Sequence, residues 1–510
     1  MKQRPDFARG WILSLAALDL LLHLVVNATT PYGVHRDEFL YMAMGEHLRL
    51  FRMDFPPFIA VASIVQRALF GDSLVAIRLL PAVAGAGILV LAALIARELG
   101  GNRRAQLLAS LPMLSSPIFL RTGNLFQPVV FDQLWWTLGF LLIARLMRQE
   151  TSRRWIALAV TGGLALLTKF TALFFGAGAI VAVLASPLRR SLRTRWPWVA
   201  LLIAIVIGSP SFTGQVLLHW PVVGQMSDLS SAQLGRIGPL DFLSGQLRWG
   251  PGSLHALLGL AWLLRDREWR ALGLAALVPM ALLLLAHGKP YYAGPLHPLL
   301  IAAGAWALVE YADSLRSRVG AGTLQWGVGV ATVLWGMLLF PMSVPVLAPS
   351  RMAAYSSRLG LTSGNRTNTG EVDRLPQDYA DMLGWPEEAA AIRRAWVGLT
   401  PDERARAVII GGNYGQAGAL DFYGPRLGLP RAIASVGTYW FFGPGSKPGD
   451  VSLLIGADPD EVKEFFAQCA VLERVPNAWS VREERNVPVV KCVGPRKSLQ
   501  ALWPSLAGRN

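Results

Sequence analysis

His35-Arg36-Asp37-Glu38-Phe39-Leu40-Tyr41, set just beyond the nearly uncharged run Ile12–Val26, decides how the rest of the chain is read. An apolar run approaching 20 residues is a candidate membrane span. Two adjacent carboxylates immediately outside it are costly to bury in lipid and poor anchors for a helix. They are well placed to take a proton from a polar molecule that meets a lipid-borne one.

Working outward, similar runs recur along most of the chain, among them Val83–Ala96 and Val199–Gly208. With 53% hydrophobic and 16% charged residues over 510 positions, the chain is too apolar for a soluble globular protein. The net charge of +15 does not point to nucleic acid, because the arginines cluster in short gaps between apolar runs. About eleven spans are expected, centred near Leu18, Ala86, Leu111, Leu138, Thr161, Ala179, Ile203, Leu257, Met280, Ala303 and Leu334.

Alternate gaps carry Arg97/Arg103/Arg104, Arg145/Arg148/Arg153/Arg154, Arg189/Arg190/Arg193/Arg195, Arg265/Arg267/Arg270 and Arg316/Arg318. With Lys2, Arg4 and Arg9 they form one consistent cytoplasmic set. The N-terminal segment reads as a retained signal-anchor helix. An odd number of spans then puts the C-terminal part outside. The outer face owns a long first loop (27–73), a second near 214–238, a Pro-rich turn (287–298) and everything after about Pro345. Within the first loop, Glu38–Leu50 and Pro56–Phe70 read as helices lying in the interface, separated by the stiff break Phe55-Pro56-Pro57.

After about Ser350 the composition turns polar and Gly/Pro-punctuated. Ala407–Gly411, Val451–Gly456 and Val487–Val493 read as short buried strands, and Glu387–Val397 and Pro459–Ala470 as helices. The chain thus divides into a transmembrane domain, 1–347, and an extracytoplasmic α/β domain, 348–510. Cys469 and Cys492, the two cysteines, both lie in the second domain, and whether they pair is left open.

The chemistry candidates follow from placement. Asp37 and Glu38 suit general-base work, though acids at a helix start also serve as caps. Positive charge on an outer face suggests an anionic partner, which singles out Arg36, Lys169 and Lys289, with Arg121, Arg236 and Arg248 as snorkelling alternatives. Lys289 is flanked by Tyr291, Tyr292 and His297 in a proline-stiffened turn suited to a phosphate oxygen. Asp132, within the expected fourth span, must face protein or water. The aromatic residues Trp135, Trp136, Trp249, Tyr291 and Tyr292 fit an interfacial belt as readily as a sugar platform. Gly411-Gly412-Asn413-Tyr414-Gly415 lacks a dinucleotide or P-loop pattern and reads as a close-packed turn.

Four short motifs, in order, resemble those of bacterial glycosyltransferase family 39. They are Asp37-Glu38-Phe39-Leu40-Tyr41, Pro56-Pro57-Phe58, Gly163-Leu164-Ala165 with Lys169, and Lys289-Pro290-Tyr291-Tyr292 with Pro295. The family is related to the protein O-mannosyltransferases and the lipid A aminoarabinose transferases. The resemblance covers roughly 10–345, and Asn413-Tyr414-Gly415 and Leu502-Trp503-Pro504 resemble the tails of other bacterial members. Two departures stand out. Phe55 occupies the place of a lysine before the Pro-Pro pair, and Pro128 is followed by Val129 where the relatives have an acid, Asp132 coming about one turn later.

The resemblance implies a GT-C fold and an inverting transferase that moves a sugar from a polyprenyl-phosphate donor to an acceptor hydroxyl outside the inner membrane. Asp37 would act as base, with Glu38 and Asp132 as further catalytic acids, Glu38 and Tyr41 chiefly positioning the first helix and loop. Arg36, Tyr41, Lys169, Lys289, Tyr291, Tyr292 and His297 would bind substrate. No metal is required by the scheme, although a divalent ion bridging Asp37 and the phosphate is compatible with it. The bilayer and the lipid-linked donor are the expected partners, the acceptor being glycan, lipid or protein. A transporter or flippase of a lipid-linked sugar is the alternative; it should show paired ionisable residues in mid-span and a repeated half.

Overall fold

The computed structural model describes residues 4–247, 250–315, 318–368 and 370–507. Arg248 and Trp249, and with them two of the sequence candidates, lie outside the described residues, as do Lys2 and Arg316.

Each of the expected span centres falls within a helix. Among the described residues, six helices are long and apolar enough to cross a membrane alone, and a bent pair, Ala172–Leu184 with Pro187–Arg193, raises this to seven. The remaining centres sit in shorter helices: Arg103–Ser115, Ser152–Thr168, Pro251–Arg265 and Arg270–Leu285. Proline accounts for one of these breaks. Pro112 lies inside Arg103–Ser115, and Pro117 opens the following helix, Pro117–Gly123, after the extended Ser116.

Small residues let these helices approach closely. At the crossing of Pro251–Arg265 with His297–Ser314, a Cβ on Gly304 would lie 1.8 Å from the His255 carbonyl oxygen. Arginines from separate gaps meet at one end of the bundle. Buried Glu98 accepts from Arg4 and, at 3.0 Å, from Arg145, with Arg148 at 3.7 Å. The N-terminal segment and the gaps holding Glu98 and Arg145/Arg148 therefore meet at one end.

The long loop after the first helix folds as two helices, Arg36–Glu46 and Phe58–Phe70. His35 caps the first: its Nδ1 accepts the Asp37 N–H at 3.1 Å while Glu38 accepts the His35 N–H at 2.8 Å. The 214–238 segment is more helical than a loop, because Trp196–Leu217 runs into it and Pro221–Ala232 fills its middle. The Pro-rich turn contains a 3-10 helix, Pro290–Leu296.

The polar tail holds a five-stranded sheet of order β2-β1-β3-β5-β4. Its strands are β1 (Ala407–Gly411), β2 (Ala432–Ile433), β3 (Val451–Ile455), β4 (Phe466–Pro476) and β5 (Asn486–Pro495). β1 is parallel to β2 and β3, whereas β5 is antiparallel to β3 and β4. One expectation is corrected here. Pro459–Ala470 is a single turn, Pro459–Val462, followed by β4, because the segment from Phe466 pairs along β5 as an edge strand. That pairing sets Cys469 opposite Cys492, and the two form a disulfide.

The sheet portion is seated on this same long loop. Helix Tyr414–Tyr423 packs along Arg36–Glu46, and its glycines make the approach feasible: a Cβ on Gly418 would lie 2.6 Å from the Phe39 Cβ. Phe39 is enclosed by Trp385, Phe422 and Tyr423 at ring separations of 5.5–6.0 Å.

Candidate active site

A cavity of about 870 Å³ opens between the bundle and the tail. Its polar wall carries Arg36, Asp37, Arg121, Lys289, Asp378 and Asp381, and its apolar wall includes Trp335, Leu339 and Met342. A chamber with one polar and one greasy side can hold a molecule that has a polar head and a hydrocarbon chain.

Asp37 stands in the first turn of Arg36–Glu46 with its side chain about 29% exposed. One oxygen accepts from the Tyr414 hydroxyl at 2.8 Å, the other from the Gln127 amide at 3.1 Å, and Arg36 Nε is 3.9 Å away. A carboxylate is an acceptor at both oxygens, so the two donors fix the orientation of the group. Arg36 is itself enmeshed. It stacks on the Tyr414 ring at 5.4 Å and lies 3.7 Å from Asp381. Burial works against its charge, but Asp381, Tyr414 and Asp37 outweigh that and strengthen it as a cation.

Lys289 reaches the same cavity from the late turn, where its ammonium donates to Asn368 at 3.2 Å. Burial holds its pKa below the ordinary lysine range, and Asp378 and Asp37 only partly compensate. A cation short of counter-charge at the mouth of a cavity is a natural anion receptor. Arg121 joins it on the wall, paired to Asp378 at 3.2 Å and lying over the Tyr379 ring. Tyr291 and Tyr292 line the cavity with their rings 4.7 Å apart.

Lys169 sits behind these rings, its ammonium 4.6 Å from the Tyr292 centroid, and therefore acts on the cavity through them. Tyr41, one turn after Asp37, packs on Phe55 at 6.1 Å within the electrostatic reach of Asp37. Phe55, just before the Pro56-Pro57 pair, thus serves as a packing surface for Tyr41.

Three of the sequence candidates point away from the cavity. Glu38 is fully buried and accepts from Arg78 at 2.8 Å on each oxygen and from the Phe126 N–H at 2.8 Å. Burial alone would push its carboxyl up, but Arg78 and these hydrogen bonds hold it below the usual range. It is a structural anion, placed to fix the strand leading to Gln127 rather than to accept a proton from substrate. Asp132 is also buried, accepting from Thr171 at 2.7 Å and facing the charge of Lys169. His297 is buried in its helix, with Nδ1 3.1 Å from the Ala293 carbonyl. Trp136 likewise packs among Phe140 and Phe175 in the core instead of an interfacial belt.

Other residues enter that sequence reasoning did not select: Gln127, Asp378, Asp381 and Tyr414. Gln127 stands in an apolar stretch, Leu125–Phe131, and the two acids in a mixed segment with no charge pattern of its own. Tyr414 had a signal, because a glycine-rich turn that packs closely brings its one large side chain against whatever it touches. Here Gly415 would meet the Arg36 Cβ at 3.1 Å, which is how the Tyr414 hydroxyl arrives at Asp37. Among the described residues no group of three or more His, Cys, Asp or Glu is arranged to hold a metal ion.

The comparisons with known proteins agree with this architecture. Residues 54–213 match the family model described as dolichyl-phosphate-mannose-protein mannosyltransferase. The fold matches crystal structures of ArnT from Cupriavidus metallidurans in the apo state (TM-score 0.61) and bound to undecaprenyl phosphate (TM-score 0.59). Each alignment has 16% identity and covers 95% of this chain and 98% of the other. Arabinofuranosyltransferase AftD from Mycobacteria aligns at 14% identity and TM-score 0.51, over 97% of this chain and 42% of its own. Among curated proteins, none matches by sequence. The chain is thus similar over 54–213 to that family model, and over most of its length it shares the fold of the ArnT structures.

Proposed function

We propose that the protein is an inverting glycosyltransferase that takes a sugar from a polyprenyl-phosphate carrier and transfers it to an acceptor hydroxyl on the outer face of the bacterial inner membrane. The observation that carries this reading is that Asp37 and Lys289, far apart in the chain, line one amphipathic cavity. The undecaprenyl phosphate in the ArnT structure of the same fold supports the donor class.

In the step proposed, Asp37 accepts the proton as the acceptor O–H bond breaks. The freed oxygen forms a bond to the anomeric carbon. The bond from that carbon to the phosphate oxygen breaks on the opposite side, and its electron pair leaves with the lipid phosphate. The leaving phosphate carries the largest developing charge, which Lys289, Arg36 and Arg121 are placed to offset. These side chains supply the positive charge, so the scheme calls for no metal.

The eleven helix centres are read as eleven membrane crossings, with 1–347 as the membrane domain and 348–510 as an extracytoplasmic domain. The disulfide Cys469–Cys492 supports that side for the tail, since such bonds persist in oxidising compartments. Incubating purified protein with a polyprenyl-phosphate sugar of known anomeric configuration tests the reading. Release of polyprenyl phosphate with a product of opposite configuration is expected; retained configuration would rule out single displacement, and movement of intact donor without cleavage would favour a flippase.

A further inference from the structure

The tail touches the reacting carboxylate. Tyr414 opens helix Tyr414–Tyr423, and its hydroxyl donates to Asp37 at 2.8 Å across 377 positions of sequence. The contact is built at several levels. Asn413 caps the helix, and its side chain in turn donates to the buried Glu484 at 2.6 Å, so the turn before Tyr414 is anchored from beneath. Gln416 donates to the other oxygen of Glu484 at 2.9 Å. Gly415 and Gly418, three apart and therefore on one helical face, allow contact with Arg36 and Phe39. The tyrosine ring also lies beneath the Arg36 guanidinium.

We infer that Tyr414 is a positioning residue for Asp37, and that the tail is therefore a constituent of the active site rather than only a cover or a recruiting module. The inference rests on the proposed role of Asp37 as base. The phenol fixes one carboxylate oxygen and Gln127 fixes the other, which aims the remaining lone pairs into the cavity. The charged and titratable groups facing Asp37 are Arg36 and Tyr41 on its own helix, Lys289 and Tyr291 from the late turn, and Asp381, Asp378 and Tyr414 from the tail. Among these, the Tyr414 hydroxyl is bonded directly to a carboxylate oxygen, so its loss should be felt first at Asp37.

The test is the pH profile of sugar transfer by the full-length Tyr414→Phe variant, which keeps the ring on Arg36 and removes the donor. The acid limb should move to higher pH by about one to two units, with donor affinity and thermal midpoint retained. A limb that superimposes on wild type overturns the inference. Equal loss at every pH with a lowered thermal midpoint also overturns it, since that is the signature of a merely structural contact. Asp37→Asn separates the two levels: if it transfers sugar like wild type, the base reading itself fails, whereas an inactive Asp37→Asn beside an unshifted Tyr414→Phe sinks only the role of Tyr414.

Discussion

Glu38 and Arg78 form a two-point ion pair, 2.8 Å at each contact, with neither side chain exposed. Together with the Phe126 N–H it ties helix Arg36–Glu46 to the segment that delivers Gln127 to Asp37. Of two neighbouring acids, one is consumed by the scaffold and the other is left facing the cavity. Glu38→Gln would leave the Arg78 charge buried and uncompensated, a loss of about 3–5 kcal/mol. Thermal unfolding in detergent should show a marked drop for Glu38→Gln and little change for Asp37→Asn. Because the Glu38 carboxyl is held below its ordinary range, its contribution is full at neutral pH and is lost as pH falls through that lower value.

Lys289 is expected to act on the donor rather than on the fold. Among the described residues its ammonium donates to the neutral Asn368, and its counter-charge is incomplete. Losing a charge-assisted hydrogen bond worth about 1.5–3 kcal/mol should weaken binding of polyprenyl phosphate roughly 10- to 100-fold in Lys289→Ala. Unchanged affinity, measured by titration with the lipid phosphate, would remove Lys289 from the anion site.

Asp421 gives the tail a pH dependence of the opposite sign to that of Glu38. Burial pushes its pKa up to about 6, while the Ala432 N–H and the Tyr439 hydroxyl pull it down. Between the ordinary value of 3.8 and about 6, the folded tail keeps a proton that the unfolded chain has released. Its contribution to stability is therefore full below the ordinary value, falls as pH rises to about 6 and levels off above. Asp421→Asn, whose amide can satisfy both partners, should flatten that dependence in a series of thermal midpoints; an unchanged slope would place its origin elsewhere.

What the sequence made legible followed from periodicity and charge. All eleven helix centres and three of the five strands could be read because apolar runs and arginine gaps are strong signals. β4 was hidden because Phe466–Leu472 is apolar without clean alternation, and only pairing to β5 makes it a strand. Asp37 and Lys289 were legible as charges in costly places. A positioning role for Glu38 was legible, but its partner was not, since Arg78 is 40 residues away and no local pattern announces a buried pair. Tyr414 could not be assigned for a similar reason: its role exists only once the tail is docked on the first loop.

The central claim is that the Asp37 carboxylate takes the acceptor's proton in a cavity shared with Lys289. It is tested most directly by single-turnover release of polyprenyl phosphate from a polyprenyl-phosphate sugar by purified Asp37→Asn, with donor affinity measured alongside. The account predicts a rate lowered by about 100-fold or more, with donor affinity close to wild type. Release at the wild-type rate would contradict it.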